Sequence, residues 1–259
     1  MGGDAGDDRI YGQFGDDFLA GNDGADLLCG NEGEDSLGGG DGNDRLSGGL
    51  DGDQLFGDAD NDVVLGGPDG DTARGGLGDD QVSGEVGDDL VEGNDGDDVI
   101  IGEGGYDRVD SGADEDSVYG QSGEDKLYGG SADDYLVGSP DDDWPMGDDG
   151  SDTLFLDSLA ATTAPAGECG PGDTGFGGPS DDLINGTNTD DELYGEDGND
   201  RLYGFADGTM EGCADVLRGG AGDDMLSGGT GGVDTEYCAG GLGVDTVPFI
   251  DCHDVVNVP

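Results

Sequence analysis

Residues 3–155 are seventeen consecutive nine-residue units without insertion or deletion, and each carries aspartate at its sixth position. The first unit reads Gly3-Asp4-Ala5-Gly6-Asp7-Asp8-Arg9-Ile10-Tyr11, and the second begins at Gly12. Position one is glycine in sixteen of seventeen units, Ser111 being the exception. Position eight is aliphatic almost throughout, from Ile10 and Leu19 to Leu55 and Val64, with Ala73 and Pro145 the weak members. A backbone that coils with this period and needs one carboxylate per turn accounts for the record. That need points to a metal.

A fixed short period is the mark of a solenoid. Positions one to six, dense in Gly, Asp and Asn, predict a turn whose backbone visits φ > 0. Position four is Gly in eleven units, Asp in five and Ala132 once, and Asp tolerates the left-handed region better than most residues. Positions seven to nine predict a short strand with position eight pointing inward and its neighbours outward. Two units make one coil, and coils stack through parallel strands ~4.8 Å apart, so the first array is expected to extend about 40 Å.

The chain has 65 acidic residues against 7 basic ones, a formal charge of −58, and 60 glycines. With 32% hydrophobic residues, such a balance ordinarily places a chain among disordered proteins. It argues against nucleic acid and anionic membrane surfaces, which need clustered Lys or Arg. No apolar stretch approaches the roughly 20 residues of a membrane span. Met1-Gly2-Gly3 leads straight into the repeat without the regions of a signal peptide. Either a preceding segment is missing or export uses no cleaved leader. Five cysteines leave at least one over after any pairing. Cys238 and Cys252 flank the last turn, where a bridge would stop fraying; Cys169 with Cys213 is a weaker pair, and Cys29 stands apart. Zinc has little support, since no C-x-x-C spacing exists and His253 is the one histidine.

The register divides the chain into three. The unbroken array covers 3–155, a linker or covering strap rich in Ala, Thr, Pro and Gly covers 156–176, and a less regular second array with a terminal cap covers 177–259. The second array restarts as Gly177-Gly178-Pro179-Ser180-Asp181-Asp182-Leu183-Ile184-Asn185, and about six extra residues interrupt it near Phe205–Gly212. In its last turns Glu236 falls at an inward position unless a bulge brings Tyr237 inward. The Pro145 unit predicts a weak coil, because proline offers no strand N–H.

A unit such as Gly39-Gly40-Asp41-Gly42-Asn43-Asp44-Arg45-Leu46-Ser47 satisfies every position of G-G-x-G-x-D-x-U-x. The chain thereby resembles the RTX family, the haemolysin-type calcium-binding repeats of secreted bacterial proteins. The resemblance implies an all-β, right-handed parallel β-roll (a β-helix solenoid) with two repeats per coil. It also implies calcium held between turns eighteen residues apart by sixth-position aspartates and backbone carbonyls. The metal ligands carried over are Asp8, Asp17, Asp26, Asp35, Asp44, Asp53, Asp62, Asp71, Asp80, Asp89, Asp98, Asp107, Asp116, Asp125, Asp134, Asp143 and Asp152 in the first array. In the second they are Asp182, Asp191, Asp200, Asp215, Asp224, Asp234 and Asp245. About fifteen sites fit the first array and roughly 15–20 Ca2+ the whole chain; magnesium, which demands a tighter octahedron, should substitute poorly. About fifteen divalent ions would bring the charge of −58 to about −28, so folding and ion binding are expected to be one event.

The cations agree. Arg9, Arg45, Arg108, Lys126 and Arg201 occupy position seven and Arg74 and Arg218 position nine, none in a loop where it would compete with the metal. One outward sheet face carries Leu27, Val63, Leu65, Val99, Ile101, Tyr119, Tyr135, Val137 and Phe155, an apolar set that either the strap or a protein partner would cover. Ordinary β-propensity is the competing explanation.

Catalytic readings find little. His253 has no Ser or Cys at a recognisable spacing, paired carboxylates are too frequent to single out one pair, and Gly38-Gly39-Gly40 lacks the Lys and helix of a phosphate loop. Asn185-Gly186-Thr187, a glycosylation acceptor by pattern, falls in a repeat turn. The expected function is a non-catalytic, secreted, extracellular calcium-binding module that supports export and folds outside the cell. The alternatives are an adhesin or matrix spacer rod, or the RTX portion of a secreted protease or lipase whose catalytic domain is absent.

Overall fold

In the unbroken array each nonapeptide becomes one strand and one turn, and strands pair in parallel with the strand eighteen residues on. The computed structural model describes residues 1–139, 141–156, 171–187, 190–204, 215–228, 236–240 and 252–255. These form two units, Met1–Tyr128 and Gly129–Pro259. In the first are β1 (Arg9–Phe14), β2 (Phe18–Asp23), β3 (Leu27–Glu32), β4 (Ser36–Asp41), β5 (Arg45–Leu50), β6 (Gln54–Ala59) and β7 (Val63–Pro68). There follow β8 (Thr72–Leu77), β9 (Gln81–Val86), β10 (Leu90–Asp95), β11 (Val99–Gly104), β12 (Arg108–Ala113) and β13 (Ser117–Ser122); β14 (Lys126–Ser131) contains the division. Odd strands build one parallel sheet, with Ile10 opposite Leu28 and Leu28 opposite Leu46, and even strands the other, with Leu19 opposite Leu37. No helix occurs among the described residues. The all-β parallel β-roll follows directly.

The strands run from position seven to position three of the next unit, longer than the three residues expected. Turn amides keep pairing with the adjacent coil, as Gly15 N–H donating to the Glu32 carbonyl (2.7 Å) shows. Position four is left-handed as expected, including Asp51 (φ 74°), Asp114 (φ 79°) and Ala132 (φ 90°). Position two is left-handed too, although it often carries Gln, Asn or Glu, as at Gln13 (φ 87°), Asn31 (φ 84°) and Glu85 (φ 73°). Asn recovers part of that cost locally, its Nδ2 donating to the preceding carbonyl at Asn31 (2.9 Å) and Asn94 (2.8 Å).

Position eight builds the core. Leu19, Leu28, Leu37, Leu46, Leu55, Val91, Ile100 and Leu127 are fully buried, and Ala73 sits in the same row with a smaller side chain. One such side chain per nine residues contributes about 2–3 kcal/mol, small beside the ordering entropy of nine residues.

The second unit holds β15 (Tyr135–Val137), β16 (Trp144–Asp149), β17 (Thr153–Phe155), β18 (Pro171–Gly178), β19 (Leu183–Asn185) and β20 (Asp190–Asp197). Then come β21 (Arg201–Tyr203), β22 (Val216–Ala221), β23 (Met225–Ser227), β24 (Glu236–Ala239) and β25 (Cys252–Val255). Here the step between coils varies. Thr153 lies opposite Leu183, thirty residues on, and Arg201 opposite Met225, twenty-four on. The second step matches the six extra residues noted near Phe205. At the proline unit Pro145 is buried, and Met146 lies in register with Phe176 across β16 and β18.

Two expectations need correction. The strap at 156–176 is shorter at its end, because Pro171–Gly178 is strand β18, in register with β20 through Phe176↔Tyr194. Its inward position is Gly175, which reads as a break in the pattern. Leu156 supplies the missing bulk: it is fully buried, and a Cβ on Gly175 would lie 2.8 Å from Leu156 Cδ2 and 3.3 Å from Ile184 Cγ2. Leucine at position one and glycine at position eight thus exchange their usual places. In the last turns, Leu217 is opposite Cys238, so neither Glu236 nor Tyr237 takes the inward register. The side chains of Cys238 and Cys252, and all of Cys169 and Cys213, lie outside the described residues; Cys29 is a free thiol.

This exchange makes a prediction. Gly175→Leu, although it restores the repeat's usual residue, should destabilise the calcium-loaded protein by about 1–3 kcal/mol through overpacking. Leu156→Gly alone should cost at least about 2–5 kcal/mol. The double variant should recover most of the loss, measured by urea unfolding in excess calcium as a coupling energy. Additive losses would contradict the exchange.

Candidate metal centres

The sixth-position aspartates stack into columns through one repeated hydrogen bond. Asp8 N–H donates to Asp26 Oδ1 (2.7 Å), Asp26 N–H to Asp44 Oδ1 (2.7 Å), Asp44 to Asp62 (2.7 Å), Asp62 to Asp80 (2.7 Å), Asp80 to Asp98 (2.7 Å) and Asp98 to Asp116 (2.8 Å). On the opposite edge the same bond links Asp17, Asp35, Asp53, Asp71, Asp89, Asp107 and Asp125. In the second unit one column joins Asp134, Asp152, Asp182, Asp200 and Asp224, and the other Asp143, Asp173, Asp191 and Asp215. Asp234 and Asp245 lie outside the described residues.

Burial is nearly complete: Asp26, Asp35 and Asp44 are each 3% exposed and Asp98 is 1%. Asp8 and Asp17, in the first coil, are half-buried, and Asp4 N–H caps Asp8 Oδ2 at 2.9 Å. One oxygen of each inner carboxylate therefore has an amide. The other, Oδ2, is buried without a hydrogen-bond partner at Asp26, Asp35, Asp44, Asp53, Asp62, Asp71, Asp80, Asp89, Asp98 and Asp107, and at Asp152, Asp182 and Asp200. A native protein seldom leaves a buried oxygen so, because it costs about 1–3 kcal/mol and more for a charged group.

Position one explains what Oδ2 faces. A Cβ built on Gly21 would lie 2.5 Å from the Gly39 carbonyl oxygen and still closer to Asp26 Oδ2; on Gly57 it would meet Gly75 O at 2.5 Å beside Asp62 Oδ2. In the second unit Gly147 stands likewise against Gly177 O (2.5 Å) and Asp152 Oδ2. Glycine thus keeps open a place where a carboxylate oxygen and a carbonyl oxygen of the next coil converge. Ser111 fits this position with its hydroxyl bonded to the Asp116 carboxylate. Among the described residues no group of three His, Cys, Asp or Glu side chains is placed to hold a metal ion by itself. Carboxylates and carbonyls together suit a hard cation with six to eight oxygen ligands.

Asp191 departs from its neighbours. Thr187 N–H donates to its Oδ2 (2.6 Å) while Asp173 N–H donates to its Oδ1 (3.0 Å), so protein donors already occupy both oxygens.

Sequence reasoning missed a second ladder. Position-five Asp or Asn side chains accept from position five of the following coil: Asp7 from Ala25 N–H (3.1 Å), Asp88 from Tyr106 (3.0 Å), Asp133 from Ser151 (2.9 Å) and Asp181 from Asn199 (2.7 Å). It points opposite to the sixth-position ladder and is exposed. The recurrence of Asp and Asn at position five was its signal. Asp173 was missed as well, since its unit lacks the aliphatic eighth residue.

The chain matches the family model described as RTX calcium-binding nonapeptide repeat (4 copies), in overlapping copies over residues 2–154 and again at 176–204 and 214–233. It belongs to that family. No curated protein matches the chain. Membership makes calcium the cation that this RTX protein's turns are built for, and the open oxygens described above fit it.

Electrostatics shows what the cation-free sites cost. Desolvation, then nearby like charges (column neighbours at most of these residues, the adjacent Asp79 and Asp88 at Asp80 and Asp89), push the carboxyls up against the opposing effect of the amide bond: to about 6 at Asp44, Asp53, Asp80 and Asp89, and to about 7 at Asp62, Asp71, Asp98 and Asp107. In the second unit Asp152 and Asp200 rise to about 6 and Asp182 to about 8. The unfolded value is 3.8. A raised folded pKa stabilises the cation-free fold below about pH 4, and that contribution is lost as pH rises through about 6–8. Acid should therefore stand in partly for the ion: in chelator, β-structure by circular dichroism should increase from about pH 8 to about pH 5. Calcium added near pH 6 should release protons, and near pH 9 release none. Equal proton release at both pH values would contradict this electrostatic account.

Proposed function

We propose that this protein is a secreted, non-catalytic module in which calcium binding and folding are one event. On this reading the metal ligands are the sixth-position aspartates of both units, with about 15–20 ions in the whole chain. The buried, unpaired Oδ2 atoms that face carbonyl oxygens across glycine carry the reading. Bound calcium supplies a divalent charge between carboxylates that otherwise repel. The chain's own part is to hold each Oδ1 on an amide, to turn Oδ2 and a carbonyl toward one point, and to exclude cationic side chains. Arg74 lies over Phe56 and on Glu92 (2.6 Å), and Arg108 over Tyr128, all on an outer sheet face away from the loops.

In a low-calcium cytosol this chain stays unfolded, which suits export as an extended polypeptide. Outside, calcium drives it to its native state and fixes whatever is attached to it. The exposed apolar residues on the odd-strand face, Val99 at 40% with the half-buried Val63, Leu65 and Ile101 beside it, favour a secondary role as a contact surface for a protein partner. In the second unit Tyr135 is half-buried on its sheet face, whereas Val137 is already covered, at 7% exposed. A spacer rod, or a role as the calcium-binding portion of a secreted protease or lipase, is the alternative setting for the same module.

Circular dichroism during a calcium titration at pH 8 should show a cooperative gain of β-signal, and magnesium at equal concentration should give little. Equilibrium dialysis should count about 15–20 bound ions. Full β-structure retained in excess chelator at that pH would refute the coupling.

A further inference from the structure

We propose that one turn edge of the first unit is a docking strip for a cationic amphipathic helix of a protein partner. The proposal goes beyond the calcium reading and concerns side chains that belong neither to the core nor to the aspartate columns.

The strip is a row of exposed apolar residues. Leu50, Pro68 and Val86 end β5, β7 and β9, so they lie on three successive coils of the same edge. Pro68 is in direct register with Val86. Tyr106, two residues beyond the end of β11, carries the row to a fourth coil, its N–H donating to Asp88 Oδ1 of the coil before (3.0 Å). Leu50 is 49% exposed, Val86 and Tyr106 are 61% exposed, and Pro68 is exposed as well. On the opposite edge the equivalent row is broken, with Leu77 standing between Ala59 and Asp95. A contiguous apolar row rimmed by polar groups marks an interaction site, whereas a single exposed residue such as Leu77 needs no explanation.

Carboxylates rim the row on both sides. Asp51 and Asp69 follow Leu50 and Pro68, and Asp51 N–H donates to Asp69 Oδ2 (3.3 Å). Glu85 precedes Val86 and lies in register with Glu103. Among the described residues none of these four has an ion pair, and no Lys or Arg occupies the first six positions of any unit in the first array. The complement is a partner with cations beside an apolar stripe. Spacing selects its backbone. Coils advance ~4.8 Å and a helix advances ~5.4 Å per turn. The ~14 Å from the Leu50 coil to the Tyr106 coil therefore takes about three helical turns, each with an apolar side chain on one coil. An extended strand repeats on one face every ~6.6 Å and falls out of step. The acidic rim also repels an anionic lipid surface.

The full chain in excess calcium, its β-signal checked by circular dichroism, is titrated into a fluorescein-labelled synthetic helix of about four turns, with leucine at i, i+3, i+4 and i+7 and lysine elsewhere. A scrambled peptide of the same composition controls for net charge. The facial peptide should bind at least about tenfold more tightly than the scrambled one, and Leu50→Ser with Val86→Ser should remove about that factor. Leu77→Ser, on the opposite edge, should leave binding unchanged. Asp51→Asn with Asp69→Asn should weaken it about threefold or more. Should L50S/V86S lose its β-signal, Leu50→Gln with Val86→Thr replaces it under the same criterion. Equal binding of the two peptides overturns the proposal, as does undiminished binding by the folded double variant. Binding to phosphatidylcholine vesicles that L50S/V86S abolishes, without discrimination between the peptides, would assign the strip to a membrane and overturn it too.

Discussion

A buried carboxylate with one oxygen on an amide and the other facing a carbonyl is the constraint on which this structure depends. In a poorly solvated turn that second oxygen is destabilising, and a column of such groups compounds the effect by like-charge repulsion. The rest of the architecture accommodates it. Glycine holds position one in all units of the first array but that of Ser111, because a Cβ there would crowd the space where the two oxygens meet. The eighteen-residue period keeps one aspartate above the next at hydrogen-bonding distance, as from Asp44 to Asp62. Cations are kept to the sheet faces, where Arg218 lies over the Tyr194 ring.

Because each coil touches only its neighbours, the cohesion within each unit is a nearest-neighbour property. The position-six ladder binds each turn to the one after it through carboxylate oxygens, and the position-five ladder does so in the reverse sense at the surface. The core adds one aliphatic side chain per turn, enough to set the register but not to hold nine residues in order without help from the loops.

The second unit shows how far the pattern bends. Steps of thirty and twenty-four residues interrupt the eighteen-residue rhythm, yet the aspartate columns continue through them. Loop-closure entropy grows slowly with length, so an excursion that begins and ends within one turn is tolerated if the turn's hydrogen bonds reform. Leu156 and Gly175 show the accompanying adjustment in the core.

Much of this was legible in the residues. Asp8 through Asp152 could be assigned to turns because aspartate recurs at an unvarying interval, and Leu19 or Leu55 to the interior because strand side chains alternate. Position four could be read as left-handed from Gly and Asp alone, whereas position two could not, because Gln13 and Glu85 carry no such signature and are held there by the pairing of adjacent coils. Asp173 was hidden for a related reason: its partner in the core, Leu156, lies nineteen residues away from Gly175, and no local pattern connects them. By itself the sequence determined the period, the inward row and the acidic columns, since each is a property of one repeat. Which oxygen of each aspartate is bonded and which remains open, and how the chain resumes after an insertion, were decided only when neighbouring coils met, because those contacts join residues eighteen to thirty positions apart.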